Sequence, residues 1–344
     1  VRVSREELLK VLESLTPGLN TKESIEQSTC FVFDGQQAMT FNDEVACMRT
    51  SPLKITGAVK AKPLLDLLSK LPEDELDIDQ VEDQLRVKGK GRRSGLRMET
   101  EARLPVHGVE VPTEDDWMPL PTDFNNAVGI CHPCASSEET EFVLTCICID
   151  PDCLQATNRF QIARYPIEMG LSEQTLVRAD SLKKVCGFDM TEFALTGSWI
   201  HFRNPAGLRL AARRHMEAYK DVSRFLVSDG MSEITLPANL REVTERANIF
   251  SSETMSSVGN KLLICLGPDR ITIKGQGAIG FYEEIKQTTY SGPPTEFLVA
   301  PRLLEAISEK SNTCRVGQGR LFIDTGKFVY VACTASVPTE TEGK

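Results

Sequence analysis

Apolar residues along this chain switch repeatedly between helical and strand-like spacing. In SREELLKVLESLTPG, beginning at Ser4, Leu8, Leu12 and Leu15 form a stripe at helical intervals. Ser4 and Glu7 stand in capping-box relation, and Pro17-Gly18 supplies a stop. DFNNAVGICHPCAS from Asp123 and NLREVTERANIFSS from Asn239 read as helices of similar length. Each is followed by two β-forming runs broken by Gly, Asp or Pro: STCFVFDGQQAMTF from Ser28, FVLTCICIDPDCLQAT from Phe142 and KLLICLGPDRITIKG from Lys261. A second helix then appears in each third, in KPLLDLLSKL from Lys62, ADSLKKVCGF from Ala179 and APRLLEAISEK from Ala300. Pro63 and Pro301 sit where a first helical residue belongs. Further strand pairs end in QLRVKG, WIHFRN and RLFIDTG.

The order helix, strands, helix, strands thus occurs three times, with first helices roughly 116 residues apart, a normal domain size. MPLPTD around Pro119 and VSDGMSE around Val227 carry linker chemistry. The expected domains are 1–121, 122–230 and 231–336, followed by a polar, disordered tail at 337–344. The expected class is α+β, with pairs of helices packed on antiparallel sheets.

Charge adds one feature to this picture. The 344 residues include 39 Lys+Arg and 49 Asp+Glu, a formal net charge of −10, which disfavours indiscriminate binding of polyanions. Yet LRVKGKGRRSGLRME, residues 85–99, holds Arg86, Lys88, Lys90, Arg92, Arg93 and Arg97 with no acid between them. Such a segment is either a local basic surface or a solvated loop balanced by acids such as Glu82 and Asp83. No run of about 18 apolar residues is present, so no transmembrane helix is expected. VRVSREELLK has charge where a signal peptide needs its apolar centre, so the expected location is cytoplasmic. The eleven cysteines then read as reduced thiols. Cys131 and Cys134, with Cys146, Cys148 and Cys153 downstream, have a spacing that zinc can use. The first pair falls in a helix, however, and Cys146 and Cys148 alternate with Thr145, Ile147 and Ile149 in an apolar strand, so they read as small core residues. No metal or cofactor is expected. With four histidines and no HExxH, Walker A or GxSxG pattern, enzymatic chemistry is not expected either. Asp115-Asp116 reads as a turn cap, and GQGAIG (275–280) as a loop between strands.

Four segments, in their order within the threefold repeat, carry a family resemblance: LPVHGVEVPTEDDW (104–117), QATNRFQIA (155–163), AYKDVSRFLV (218–227) and EEIKQTTYSG (283–292). They resemble the bacterial sliding clamp, the beta subunit of DNA polymerase III, and the resemblance extends over about 1–336. It implies three tandem DNA-clamp repeats per chain and a homodimer closing head to tail into a six-domain ring around duplex DNA. It implies no catalysis; the ring tethers the replicative polymerase without reading base sequence. Under this resemblance Arg86, Lys88, Lys90, Arg92, Arg93 and Arg97 face DNA, and Lys183, Lys184, Arg241 and Arg246 are further candidates on helices. An exposed helical charge with no DNA role is an equally open reading of those four.

The resemblance also implies a pocket for short peptide motifs of the polymerase and clamp loader. Its wall here is Leu144, Thr157, Arg159, Phe160, Gln161, Ile162, Val227, Val331 and Ala332. NRFQ stands in place of the family's Asp-Gly-His-Arg, and ACTAS in place of its Met-Pro-Met-Arg-Leu end. A different partner set is therefore expected, as a phage or other mobile element carrying its own clamp would have; the location is then the host cytoplasm. At the ring joint the resemblance places Val111 and Ile285, with Lys286 where an apolar residue is usual. A non-encircling scaffold that keeps the repeats but has lost ring closure is the alternative.

Overall fold

The computed structural model describes residues 1–251 and 260–338; the expected polar tail lies outside the described residues from 339 onward. Six α-helices occur among them: α1 (Arg5–Ser14), α2 (Ala61–Lys70), α3 (Phe124–Cys131), α4 (Ala179–Val185), α5 (Leu240–Ser251) and α6 (Pro301–Lys310). Their starts have local causes. The Ser4 hydroxyl accepts from the Glu7 N–H at 3.3 Å and caps α1. Pro301 opens α6, whereas Pro63 is the third residue of α2, still within the turn whose N–H groups have no helical partner. One expected strand start moves. Phe142–Thr145 belongs to a 3-10 segment, Glu139–Thr145, and the strand begins at Cys146. The Thr145 hydroxyl donates to the Phe142 carbonyl at 2.7 Å, a side-chain bond that competes with extended backbone.

The chain forms two compact units, one of Val1–His132, Cys146–Pro151 and Ile167–Glu217, the other of Pro133–Thr145, Asp152–Pro166 and Ala218–Lys344. In the first unit an antiparallel sheet runs Arg2–Ser4, Glu75–Val81, Gln84–Gly89, Arg92–Glu99. Glu99 and Met98 also pair with Thr56–Lys60, which leads on to Cys30–Asp34, Gln37–Phe41, Val45–Thr50 and Arg209–His215. Alternation puts Leu76, Ile78, Leu85 and Val87 on the buried side. A core cluster gathers Val32, Phe41, Leu104, Val109 and Trp199.

In the second unit one antiparallel sheet runs Cys153–Thr157, Gln161–Pro166, Val329–Cys333, Arg320–Asp324, Thr313–Gly317, Ser232–Thr235. A separate four-stranded sheet runs Gly280–Gln287, Arg270–Gly277, Leu262–Gly267, Thr295–Val299. The GQGAIG segment is therefore not a loop. Gly275 and Gly277 lie in a strand, and only 278–279 form the turn.

Candidate functional site

A cavity of about 460 Å³ opens in the second unit. Its floor is a small core cluster of its own: Ile162, Val222 and Val331 pack with Phe322, and Phe225 joins them half-buried. Leu144 extends the apolar wall, and Arg159, Lys220, Arg224 and Arg320 supply cations. Glu141 and Asp221 are its carboxylates.

The rear of this wall is held by a buried amide. Gln161 Nε2 donates to the Pro133 carbonyl, and the Tyr330 hydroxyl donates to Gln161 Oε1, both at 2.6 Å. Satisfying both ends fixes the Gln161 side chain at the head of its strand. The turn between Thr157 and Gln161 is an Asx turn, in which Asn158 Oδ1 accepts the N–H groups of Phe160 and Gln161 at 3.1 Å each. Arg159 sits in it with φ +75° and pairs with Glu141. Lys220 Nζ lies 4.0 Å from the same carboxylate.

The residues that the resemblance assigned to a pocket do not all meet. Leu144, Thr157, Arg159, Gln161, Ile162 and Val331 line the cavity. Phe160 is exposed and lines two neighbouring hollows, with the Arg302 guanidinium 5.9 Å from its ring centre. Val227 contributes its carbonyl to Arg320, while its side chain is exposed. Ala332 is fully buried and absent from the lining: Val331 and Cys333 reach the cavity, and alternation sends the residue between them the other way. Sequence reasoning missed Arg320 and Cys333 as lining residues. Val222, Arg224 and Phe225 entered it only within 218–227, one of the four segments that carry the resemblance. Burial pushes the Cys333 thiol up in spite of Arg320 nearby, which keeps it neutral.

The six cations of the basic stretch are all exposed on the hairpin Gln84–Gly89/Arg92–Glu99, but they do not share one face. Register and alternation set Arg86, Lys88, Arg93 and Arg97 outward, opposite buried Leu85 and Val87. Lys88 and Arg93 are direct cross-strand partners, a like-charge pair that costs stability. The next strand offsets this with Asp77 beside Lys88 and Asp79 beside Arg86, and Lys88 Nζ lies 3.3 Å from Asp79. Lys90 is at the turn, and Arg92 points to the other side, paired with Glu73.

The helical candidates are committed elsewhere to different degrees. Arg241 pairs with Glu245 and Glu309, both at 3.1 Å. Arg246 pairs with Glu284 at 2.8 Å and also donates to the Tyr282 hydroxyl. Lys184 donates to the Pro17 carbonyl at 3.1 Å, and Lys183 is exposed in the last turn of α4.

At the expected joint, Val111 is 69% exposed and Ile285 57%. Ile285 shares the outer side of Gly280–Gln287 with Phe281, 66% exposed, and Glu283 between them. Lys286 faces the opposite side, where its ammonium lies 2.7 Å from Glu284. Among the described residues no three His, Cys, Asp or Glu side chains converge as a metal site. No described helix is long and apolar enough to cross a membrane.

No protein-family model matches the chain, and no curated protein does. Solved structures do match, at low identity and nearly full length. The DNA polymerase III beta chain of Streptococcus pneumoniae superposes with a TM-score of 0.84 at 17% identity, over 98% of this chain and 99% of that one. The DNA polymerase III beta subunit of Pseudomonas aeruginosa gives 0.80 at 18% identity, with the same coverage. The sliding clamp of Bacillus subtilis gives 0.80 at 14%, again over 98% and 99%. This chain therefore has the fold of the DNA polymerase III beta sliding clamps.

Proposed function

We propose that this protein is a DNA sliding clamp: a non-catalytic ring that encircles duplex DNA and tethers a polymerase to it. The observation that carries this reading is the likeness to polymerase clamps end to end, over 98% of this chain and 99% of theirs. In this reading the three repeats act as domains 1–121, 122–230 and 231–336, two chains form the ring, and the protein works in the cytoplasm.

Two strand edges support closure. Among the described residues, 92–97 have a partner strand on one side only, and so does Gly280–Gln287. Open edges invite pairing with another chain. Exposed Phe281 and Ile285 supply apolar area, with Glu283 between them on the same side of the strand. The cavity takes apolar side chains of polymerase and clamp-loader segments, and the outward cations of the basic hairpin act on phosphate without reading sequence.

The test combines mass and topology. Light scattering should give twice the chain mass, and the protein should stay on nicked circular DNA and leave when the circle is cut. A strictly monomeric mass, with equal retention on linear DNA, would replace the ring with a non-encircling scaffold. One observation favours that second reading: Arg241 and Arg246 are neutralised within the fold, which leaves their helix little net attraction for DNA.

A further inference from the structure

One wall of the cavity is not held by the sheets. Lys220, Asp221, Val222, Arg224 and Phe225 line it, and all belong to one segment, 220–230, that leads into the strand Ser232–Thr235. The backbone of this segment joins no strand. Among the described residues its backbone-to-backbone hydrogen bonds run from the Phe225, Leu226 and Met231 N–H groups to the Val222, Ser223 and Ser228 carbonyls, at 2.9, 3.1 and 3.1 Å, each closing a local turn. Its hold on the strands comes from side chains. Arg320 Nη2 donates to the Val227 carbonyl at 2.9 Å, Gln318 Nε2 to the Asp229 carbonyl at 2.8 Å, and Arg315 to the Ser228 hydroxyl. Gln318 couples two of these clips, because its Oε1 accepts from the same Arg320 Nη2 at 2.9 Å. Buried Val222, with half-buried Phe225 and Leu226, packs against Ile162, Phe322 and Val331.

Both ends of the segment are defined. Just before it the Tyr219 hydroxyl accepts the Thr157 N–H at 2.9 Å, and at its far end Gly230 takes φ +71°, a conformation that glycine adopts at little cost. A segment seated by a few side chains opens at lower free energy than the sheets beneath it. Closure also carries a cost of its own. It covers Arg320, 8% exposed, with neutral acceptors at Nη2 and no partner for the enclosed Nε. Opening returns that cation to water. We propose that 220–230 is a strap that swings off the cavity as a unit, between Tyr219 and Gly230, and that Gln318 is the positioning residue that sets how often it is open. Opening withdraws Val222 and Phe225 and bares Ile162, Phe322 and Val331, so the strap governs entry of a partner segment. That use rests on the reading of the cavity as a docking site; the motion itself does not.

Thiol labelling of the full chain, resolved by peptide mass mapping, tests the motion without any ligand. Val222→Cys places a thiol beneath the strap, and native Cys314, 3% exposed in the strand Thr313–Gly317, reports opening of the sheet itself. The introduced thiol should react about tenfold faster than Cys314 or more, as local opening requires. Adding Gln318→Ala should speed it about fivefold further, the effect of a lost neutral hydrogen bond, while Cys314 keeps its rate. Hydrogen exchange at the Phe225 and Leu226 amides, read with Val222 in place, is the second measurement. Gln318→Ala should speed it by a similar factor and leave exchange in Arg320–Asp324 unchanged. Equal rates for the two thiols overturn the strap, since the segment then opens only with its sheet. Labelling and exchange that ignore Gln318→Ala overturn the role of the clip. Neither measurement involves a partner segment, so their failure is distinct from failure of the docking reading.

Discussion

Arg159 holds a left-handed backbone, φ +75°, which costs an L-residue about 1–2 kcal/mol. Asn158 makes it tolerable by tying the two following N–H groups to its own side chain. Arg159→Gly should remove the backbone cost and lose an exposed pair with Glu141 worth about 0–1 kcal/mol, so stability should stay equal or rise. Arg159→Val, branched at Cβ, should lose about 1–3 kcal/mol. Urea melts of the two variants check this, and a valine variant as stable as the glycine one contradicts the strain argument. The sequence shows NRFQ where the resembling family has Asp-Gly-His-Arg, so Arg159 occupies a glycine's place in plain sight. That the backbone at Arg159 is left-handed was not legible, because φ depends on the Asn158 bonds. Arg320 was hidden for a similar reason. Its strand placement was readable from RLFIDTG, but its burial depends on Val227, far away in the chain.

Helix α5 rests on its sheet through two glycines. A Cβ on Gly275 would lie 1.8 Å from the Ala247 carbonyl oxygen, and one on Gly277 2.3 Å from that of Phe250. Gly275→Ala must push the helix away and should destabilise the protein by about 1–3 kcal/mol, measurable as a lower denaturation midpoint at unchanged m-value. An unaltered midpoint would mean that α5 is not held this closely. The same helix is pinned at Arg246 to Glu284, which Lys286 and Tyr282 also contact. Hydrogen bonds from Lys286, Tyr282 and Arg246 lower the Glu284 carboxyl from 4.5 to about 2. Because the folded value is the lower one, this stabilisation is complete above about pH 4.5 and fades as pH falls toward 2. Glu284→Gln should therefore melt below the unaltered protein at pH 7, and the gap should narrow at pH 3. A gap independent of pH would assign the loss to packing. Periodicity made the helices legible, down to the Ser4 cap of α1. It could not reveal that Arg241 and Arg246 spend their charge on Glu309 and Glu284, which arrive from other elements.

At the scale of the whole molecule, the repeat order in the sequence is enough to reach three α+β units, and the clamp fold came from the resemblance of four segments placed within them. In the proposed ring an acidic chain must divide its few basic surfaces between DNA and a second copy of itself, and the repeats do not disclose how. The hairpin makes the question concrete, because Arg93 lies on the outward cationic face and Arg92 on the other side, paired with Glu73. If the outward face meets phosphate, each contact releases condensed counterion, and log affinity falls with log salt by about 0.9 per contact on duplex DNA. Arg93→Ala should then lower that slope by roughly one unit. Arg92→Ala should change it less, since that guanidinium already has an anion. Both variants should fold normally, as exposed substitutions usually stay within about 0.5 kcal/mol. DNA binding across a salt series, run beside a dilution series of the light-scattering mass, separates the two uses of the hairpin. A slope that falls in Arg93→Ala with an unaltered dimer places the outward face on DNA. A dimer that dissociates more readily in Arg93→Ala, with the slope unchanged, assigns the face to the joint opposite Glu283, and the DNA contact must then be sought on α4, where Lys183 is exposed.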